Sequence, residues 1–284
     1  MKKLGFIGGG NMAEALMLGL VEGGIFKPAE LVASDVDPRR RQTIKRRLKI
    51  ETTADNRAVL RESRAILLAV KPQNIDEVLR DLATVFAPGP PGATQPARPI
   101  ALKDRLFISI AAGITLGRFT AALGPQARVV RVMPNAPAMV GQGMAALVRA
   151  PGASKADLSF ALRLFRAVGD AVALDDEQLL DAVTALSGSG PAYVYLFVKA
   201  LADSGVAEGL PSDLAVRMAL KTLRGAEENM RRSTMDAAEL IRVVASPGGT
   251  TEAALRKFAE SGFSDIVGQA LHAAAQRSRE LGRN

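Results

Sequence analysis

The residues with the clearest chemical potential near the N-terminus lie in the segment Gly8-Gly9-Gly10-Asn11-Met12-Ala13, which has the pattern G-x-G-x-x-A. It directly follows the apolar run 4–7 and opens a helical pattern. Gly8 permits a tight turn, Gly10 lets a pyrophosphate approach the backbone, and the small Ala13 lets the helix pack close to the strand. Because the helix N-terminus would face the phosphates, the segment predicts a dinucleotide-binding turn.

The residues after the second apolar run bear on which dinucleotide is bound. Asp35 stands 22 residues after Ala13, where an acidic side chain accepts a hydrogen bond from the ribose 2′-OH of NAD. Ser34 can instead donate to the 2′-phosphate of NADP, and the arginines at 39–41 suit that phosphate. Such an arginine run is equally typical of a solvated helix start. The residues alone leave NADP(H) and NAD(H) both open.

A second glycine-rich segment, Ser246-Pro247-Gly248-Gly249-Thr250-Thr251, precedes a helical pattern at 250–260. Backbone N–H groups at a glycine-rich helix start can cradle an anion, and a threonine hydroxyl can add a donor. Taken alone, the segment is more typical of a helix-capping turn.

Several further positions have both a chemical and a structural interpretation. Lys71 can place charge near a diphosphate or can simply end a strand in solvent. Asn135 can bind a carboxamide or stabilise a turn. The segment Gly188-Ser189-Gly190-Pro191 can admit a nicotinamide edge or a partner helix, or can merely separate two helices. His272 lies inside a helical pattern, and we expect a structural role for it.

Alternating strands and helices must position these residues in the first half of the chain. Apolar runs predict strands at 4–7, 31–34, 65–70, 106–110 and 129–133. Helical patterns lie between them, at 11–23, 38–48, 56–63, 74–85 and 115–123. This alternation predicts an α/β fold with a Rossmann-type, doubly wound parallel sheet in residues 1–174. The proline- and glycine-rich segment 88–99 predicts a surface loop inserted into it.

The second half of the chain, residues 175–284, predicts an all-α domain. Its helical patterns lie at 176–186, 191–208, 212–231, 235–244, 250–260 and 264–281. The patterns at 191–208 and 212–231 are apolar on more than one face, and a domain of about a hundred residues cannot bury so much apolar surface alone. We therefore expect a dimerisation domain, with packing against the first domain as the alternative.

The composition excludes several classes of function. The 284 residues contain no cysteine and one histidine, which argues against disulfides, thiolate catalysis, a Ser-His-Asp triad and a metal site. The net charge of +8 suits anionic ligands, but the basic residues are dispersed and aromatic residues are only 4%, so we expect no nucleic-acid partner. No apolar run approaches the length of a membrane span. We expect a soluble, cytoplasmic protein.

Six motifs occur in order along the chain and carry a family resemblance. They are Gly5-Phe6-Ile7-Gly8-Gly9-Gly10-Asn11-Met12-Ala13, Ala69-Val70-Lys71-Pro72, Ser109-Ile110-Ala111-Ala112-Gly113, Met133-Pro134-Asn135-Ala136-Pro137, Leu186-Ser187-Gly188-Ser189-Gly190-Pro191-Ala192-Tyr193 and Ser246-Pro247-Gly248-Gly249-Thr250-Thr251. Together they resemble the pyrroline-5-carboxylate reductase family over nearly the whole chain. The last two motifs, in a helical domain behind a Rossmann half, are the specific ones.

The resemblance implies NAD(P)H-dependent reduction of a cyclic imine acid, 1-pyrroline-5-carboxylate, to proline, by a homodimer or a ring of dimers. It favours NADP(H), with NAD(H) as the alternative. It also implies an active cleft between the domains. The expected cofactor-binding residues are Gly8, Gly10, Asn11, Met12, Ser34, Asp35, Asn56, Ala69, Val70, Lys71, Pro72, Ala111 and Ala112. The expected residues for the substrate carboxylate are Ser246, Gly248, Gly249, Thr250 and Thr251.

The chemistry of this reduction fits the composition. A protonated imine is already an electrophile, so the reaction needs a held cofactor, an oriented substrate and a proton for nitrogen, but no metal. Thr251 is our candidate for a donor or proton relay at the ring nitrogen.

Two other functions compete with this interpretation. In 3-hydroxyacid and 6-phosphogluconate-type dehydrogenases, a lysine follows a Gly-x-Gly turn of the helical domain by four residues. The corresponding position after Gly190 is Val194, and the next lysine is Lys199, which argues against that class. A non-catalytic NAD(P)-binding protein is the second alternative, and it predicts cofactor binding without turnover.

Overall fold

The computed structural model describes residues 1–86 and 101–283. The chain divides into two compact units, one formed by Met1–Gly188 with the C-terminal residues from Ala275 onward, and the other by Ser189–Ala274. The predicted loop at 88–99 lies outside the described residues. No helix in the described ranges is both long enough and apolar enough to span a bilayer.

The described part of the first unit contains one eight-stranded sheet. Its strands are β1 Lys2–Ile7, β2 Leu31–Ser34, β3 Glu51–Thr53, β4 Ser63–Leu68, β5 Leu106–Ser109, β6 Arg128–Pro134, β7 Gly143–Arg149 and β8 Gly169–Ala173. Their order is β3-β2-β1-β4-β5-β6-β7-β8. The chain first adds strands on one side of β1 and then returns to the other side, which places the switch point between β1 and β4.

The strands from β3 to β6 in this order all pair in parallel. Ile7 lies level with both Ser34 and Leu68, and Leu68 lies level with Ser109. The segments that follow these four residues therefore leave the sheet at the same carboxyl edge.

Helices cover both faces of the sheet. They are α1 Asn11–Glu22, α2 Pro38–Leu48, α3 Asn56–Glu62, α4 Ile75–Ala83, α5 Leu116–Leu123, α6 Lys155–Arg166 and α7 Leu179–Val183. Successive residues of β1 face opposite sides, with Phe6 in one apolar cluster and Ile7 in the other. The predicted doubly wound, Rossmann-type fold is confirmed.

The sequence patterns do not predict β3, β7, β8 or α6. β3 is three residues long and polar, too short for a periodic signal, and β7 contains Gly143, Ala145 and Ala146, which have little strand propensity. β7 also departs from the predicted parallel arrangement, because it pairs antiparallel with β6 and then parallel with β8. Pairing with a buried neighbouring strand stabilises β7 where its own residues do not.

The second unit is helical, as predicted. Its helices are α8 Gly190–Ala207, α9 Ser212–Arg232, α10 Ala237–Val244, α11 Thr250–Glu260 and α12 Phe263–Arg283. α12 begins in this unit and ends in the first. The helix predicted at 176–186 instead consists of α7 followed by a π-helical turn, Thr184–Gly188.

Candidate dinucleotide site and apolar helical surface

The glycine-rich turn between β1 and α1 has the backbone geometry that close contact with phosphate requires. Gly8 has φ +96°, and a Cβ there would lie 2.6 Å from the carbonyl oxygen of Ala69. Gly10 has extended backbone angles, caps α1 without a side-chain hydrogen bond, and would have no heavy atom within 4 Å of an added Cβ. The first N–H groups of α1 lack intrahelical partners and the space beside Gly10 is open, so the turn can bind a pyrophosphate.

Asp35 supports this turn from the end of β2. One carboxylate oxygen accepts from the backbone N–H of Gly9 at 2.7 Å, and the other accepts from the N–H of Asp37 at 2.8 Å. Both oxygens are therefore engaged with the protein backbone. Asp35 holds the turn and the start of α2 together, a role that its position in the sequence does not reveal.

The three consecutive arginines at the start of α2 have different surroundings. Arg40 donates from Nε to the carbonyl oxygen of Gly9 at 2.8 Å and pairs with Glu14 of α1 at 2.8 Å. Glu14 also pairs with Arg47. The sequence patterns do not single out Glu14. The available signal for its role is that it is the one acidic residue in the first turn of α1, while α2 is strongly basic.

The two other arginines differ in whether their guanidinium groups bind the protein. Arg41 donates to the carbonyl oxygens of Asp35 at 2.6 Å and Val36 at 3.1 Å. Arg39 is exposed, and within the described residues no protein group bonds its guanidinium. The guanidinium of Arg39 is thus available to an external ligand near the end of β2.

Ser34 is buried, and its hydroxyl lies 2.7 Å from Oδ1 of Asn56, to which it donates. Asn56 is the first residue of α3, which Asp55 caps. Because the Asn56 carbonyl accepts from Ser34, its NH₂ group is left to donate outward. Ser34 therefore orients Asn56, and the half-buried amide is the group of this pair that a ligand can reach.

The segments after β4 and β5 complete this edge. Ala69 donates from its N–H to the carbonyl oxygen of Ile7 at 2.8 Å, which continues the sheet beside the glycine turn. Val70 is half-buried, whereas Lys71 and Pro72 are exposed. After β5, the N–H of Ala111 donates to the Ser109 hydroxyl at 3.3 Å, and Ala112 is half-buried. The expected cofactor residues of four strand ends thus lie along one sheet edge.

Asn135 serves the fold of the first unit. Its amide NH₂ donates to the backbone oxygen of Ser187 at 3.2 Å and to the Ser187 hydroxyl at 3.1 Å, and its carbonyl accepts from the N–H of Met144 at 2.8 Å. The structure thus supports the turn-stabilising interpretation of this residue. No cluster of three potential metal ligands occurs in the described part of the chain.

In the second unit, Ser246 to Thr251 form a turn that leads into α11. Gly248 has φ +72°, and its N–H donates to the Glu252 carboxylate at 2.7 Å. α11 begins at Thr250 without a side-chain cap. In the described chain neither Thr250 nor Thr251 uses its hydroxyl in a hydrogen bond. The turn can offer backbone and hydroxyl donors to a small anion, although Glu252 already satisfies the N–H of Gly248.

The second unit exposes a large apolar surface. Its buried side chains are those of Ala202, Ala215 and Ala219, so no large side chain of this unit is buried. A groove of about 600 Å³ is lined by aromatic and aliphatic side chains, including Leu196 at 68% and Ile266 at 60% exposure. Exposed apolar surface of this extent marks a protein interface.

Comparisons with known proteins agree with these two features. A family model described as pyrroline-5-carboxylate reductase dimerisation matches residues 177–281. A model described as NADP oxidoreductase, coenzyme F420-dependent, matches residues 3–113. The chain is 40% identical over 279 residues to a pyrroline-5-carboxylate reductase from Pseudomonas aeruginosa, covering 98% of this chain and 96% of the relative. It is 39% identical over 281 residues to the corresponding enzyme from Synechocystis, covering 99% and 98%.

Solved structures show the same similarity. A pyrroline-5-carboxylate reductase from Coxiella burnetii superposes with a TM-score of 0.88 at 31% identity, covering 100% of this chain and 99% of that one. A pyrroline carboxylate reductase from Plasmodium falciparum, solved with NADP bound, superposes with a TM-score of 0.85 at 30% identity, covering 99% and 98%.

Proposed function

This chain belongs to the pyrroline-5-carboxylate reductase family, and on that premise we propose that it reduces 1-pyrroline-5-carboxylate to L-proline, the last step of proline biosynthesis. The observation that carries the proposal is the open turn at Gly10, where an uncapped helix N-terminus can receive a dinucleotide pyrophosphate. When bound, the nicotinamide supplies hydride to the imine carbon. The residues of the chain must then hold the cofactor, orient the substrate carboxylate and provide a proton at nitrogen.

We propose NADPH as the preferred donor, with NADH as the alternative. The Plasmodium falciparum relative is a complex with NADP. In this chain each carboxylate oxygen of Asp35 already accepts one backbone hydrogen bond, so a ribose 2′-OH would have to share an oxygen with the turn or with the start of α2. Arg39 has a free guanidinium, and Asn56 has a free amide NH₂. Both are donors suited to a 2′-phosphate.

We predict that Arg39→Ala raises the KM for NADPH about tenfold or more, because one charge-assisted hydrogen bond contributes about 1.5–3 kcal/mol. The KM for NADH should hardly change. Steady-state kinetics with both cofactors measures this difference. Arg46→Ala is the matched control, since Arg46 is an exposed arginine of the same helix, and it should leave both constants unchanged. Equal losses with NADPH and NADH would remove Arg39 from cofactor selection.

The substrate carboxylate is the proposed ligand of the turn formed by Ser246, Gly248, Gly249, Thr250 and Thr251. Support comes from its glycine-rich helix start and from its two free hydroxyls. We place the proton donor or relay at Thr251. We propose that the chain consists of a dinucleotide-binding domain at 1–174 and a dimerisation and substrate domain at 175–284. The match of the dimerisation family model to residues 177–281 supports the second domain.

Thr251→Val is expected to lower kcat about 10- to 100-fold while changing NADPH affinity little, because it removes one hydroxyl and keeps the side-chain shape. Thr251→Ser keeps the hydroxyl and should retain most of the activity. Steady-state kcat together with NADPH binding by fluorescence tests the pair. Wild-type turnover in Thr251→Val would exclude the hydroxyl from proton transfer.

We propose that the exposed surface of the second unit pairs with the same surface of another copy, giving a homodimer, and that a ring of such dimers is the larger assembly. The dimerisation match and the lack of any large buried side chain in this unit support the pairing. The cytoplasmic location stays a prediction.

The decisive test is NADPH oxidation by the purified protein with 1-pyrroline-5-carboxylate, and separately NADH oxidation. Turnover that yields proline supports the proposal, and the faster cofactor is the preferred donor. Cofactor binding without turnover would favour a non-catalytic NAD(P)-binding protein. Oxidation of 3-hydroxyacids with NADP⁺ would favour the hydroxyacid dehydrogenase class, against which the apolar Val194 argues.

A further inference from the structure

A partly buried ion pair contacts the N-terminus of α5, immediately after the 111–115 turn that follows β5. Oε1 of Glu177 accepts from the backbone N–H of Leu116 at 2.8 Å and from Nη1 of Arg131 at 2.6 Å. Leu116 is the first residue of α5, so Glu177 satisfies one of the N–H groups that this helix cannot bond internally. The connection joins residues that are 61 positions apart.

Arg131 belongs to β6, the strand that pairs with β5 just before the turn begins. Its side chain is 8% exposed, and it stands level with Ser109 of β5. The hydroxyl of Ser109 accepts from the N–H of Ala111. The ion pair is weak evidence for stability, because Arg131 loses most of its hydration and Glu177 stays partly exposed to water. The geometric effect of Glu177 is to tie the C-terminal end of the 111–115 turn, at Leu116, to Arg131 of β6.

The other side of the turn is supported by the C-terminal helix. A Cβ at Gly113 would lie 3.0 Å from Cβ of Leu281, and Ser278 of α12 donates to Asp181 of α7 at 2.6 Å. A cavity of about 470 Å³ lies beside these groups, lined in part by Thr115, Arg131 and Glu177. Open space borders Glu177 on this side, whereas Ile114 and Leu116 pack into a buried apolar cluster on the other.

The place of this turn in the sheet suggests why its position matters. The phosphate turn follows β1, and the adenosine side of a dinucleotide lies over the end of β2. The nicotinamide half must then extend over the ends of β4 and β5, where the 111–115 turn begins. We propose that Glu177, which Arg131 holds in place, is a positioning residue for hydride transfer and acts on this turn through Leu116. This inference rests on the proposed function.

The test compares Glu177→Ala, Glu177→Gln and Asp175→Asn in the 284-residue chain. Glu177→Ala should slow single-turnover NADPH oxidation about 10- to 100-fold, since a displacement of about 1 Å near reacting atoms has that effect. The Kd for NADPH should change less than about threefold, because the phosphate turn is untouched. Glu177→Gln keeps an acceptor for Leu116 and should give an intermediate rate. Asp175→Asn removes an exposed charge two residues away and should match wild type.

Unchanged single-turnover rates in Glu177→Ala would overturn the inference. It would also be overturned if the melting temperature and NADPH affinity fell in parallel with the rate, since the residue would then act on stability alone. A wild-type chain that does not oxidise NADPH with 1-pyrroline-5-carboxylate overturns the proposed function and this inference together. If the wild-type chain turns over and the Glu177→Ala variant is equally fast, only the inference about Glu177 is overturned.

Discussion

Gly10→Val is expected to weaken NADPH binding at least about 100-fold without unfolding the protein. No heavy atom lies within 4 Å of an added Cβ at Gly10, and its φ of −66° with ψ of 179° is a conformation that valine adopts. The added methyl groups would occupy the space that a pyrophosphate needs. Losing two hydrogen bonds to a charged group costs about 1.5–3 kcal/mol each, which together exceeds the roughly 2.8 kcal/mol that corresponds to a 100-fold change in Kd.

Fluorescence titration with NADPH and thermal unfolding of the unliganded protein together measure this effect. Gly10→Ala should give a smaller loss of affinity, and both variants should melt within a few degrees of wild type. Ala122→Val, a comparable enlargement at an exposed position of α5, should bind NADPH normally. Gly8→Ala provides a contrast: it should destabilise the fold itself, because φ is +96° and the carbonyl oxygen of Ala69 is too close. Full NADPH affinity in Gly10→Val would disprove the phosphate-turn assignment.

Leu196→Asp is expected to separate the proposed homodimer and abolish most activity. Leu196 lines the apolar groove of the second unit and is 68% exposed in the single chain. If a second copy covers it, the variant must bury an unpaired carboxylate or leave the interface open. Either consequence should weaken association more than about 100-fold, since burying an unpaired charge is among the most costly changes at an interface.

Sedimentation velocity over a range of protein concentrations measures the association directly. Val140→Asp is the matched control, because Val140 is a 75% exposed valine of the first unit and lies outside the proposed interface. It should sediment like wild type. If Leu196→Asp also sediments as a dimer with full activity, the groove is not the dimer interface.

Local sequence patterns alone predict much of the secondary structure of this protein, its phosphate turn and its interface. The apolar run before Gly8 and the helical pattern after Asn11 predict a strand, a phosphate turn and a helix, because each depends on local periodicity and on backbone freedom. The helices of the second half were predicted to within a few residues for the same reason. The surplus apolar residues in Tyr193 to Leu201 predict an interface without any coordinates, since a small helical domain has too little interior to bury them.

Only the tertiary structure decided how identical residue types divide their roles. The sequence presents Arg39, Arg40 and Arg41 as equivalent, but contacts with Gly9, Glu14 and Asp35 engage two of them and leave Arg39 free. The tertiary structure likewise decides the partners of two other side chains. The carboxylate of Asp35 accepts from Gly9, 26 residues away, and the hydroxyl of Ser34 donates to Asn56, 22 residues away.

The tertiary structure also decided the antiparallel pairing of β7 and the link from Glu177 to Leu116, which spans 61 residues. No local pattern encodes such contacts, because they form only when separate segments pack against one sheet. The sequence by itself predicts the elements with strong local periodicity and the turn that we propose binds phosphate. The packed sheet edge determined which polar groups remain free for a ligand and which are already bonded within the protein.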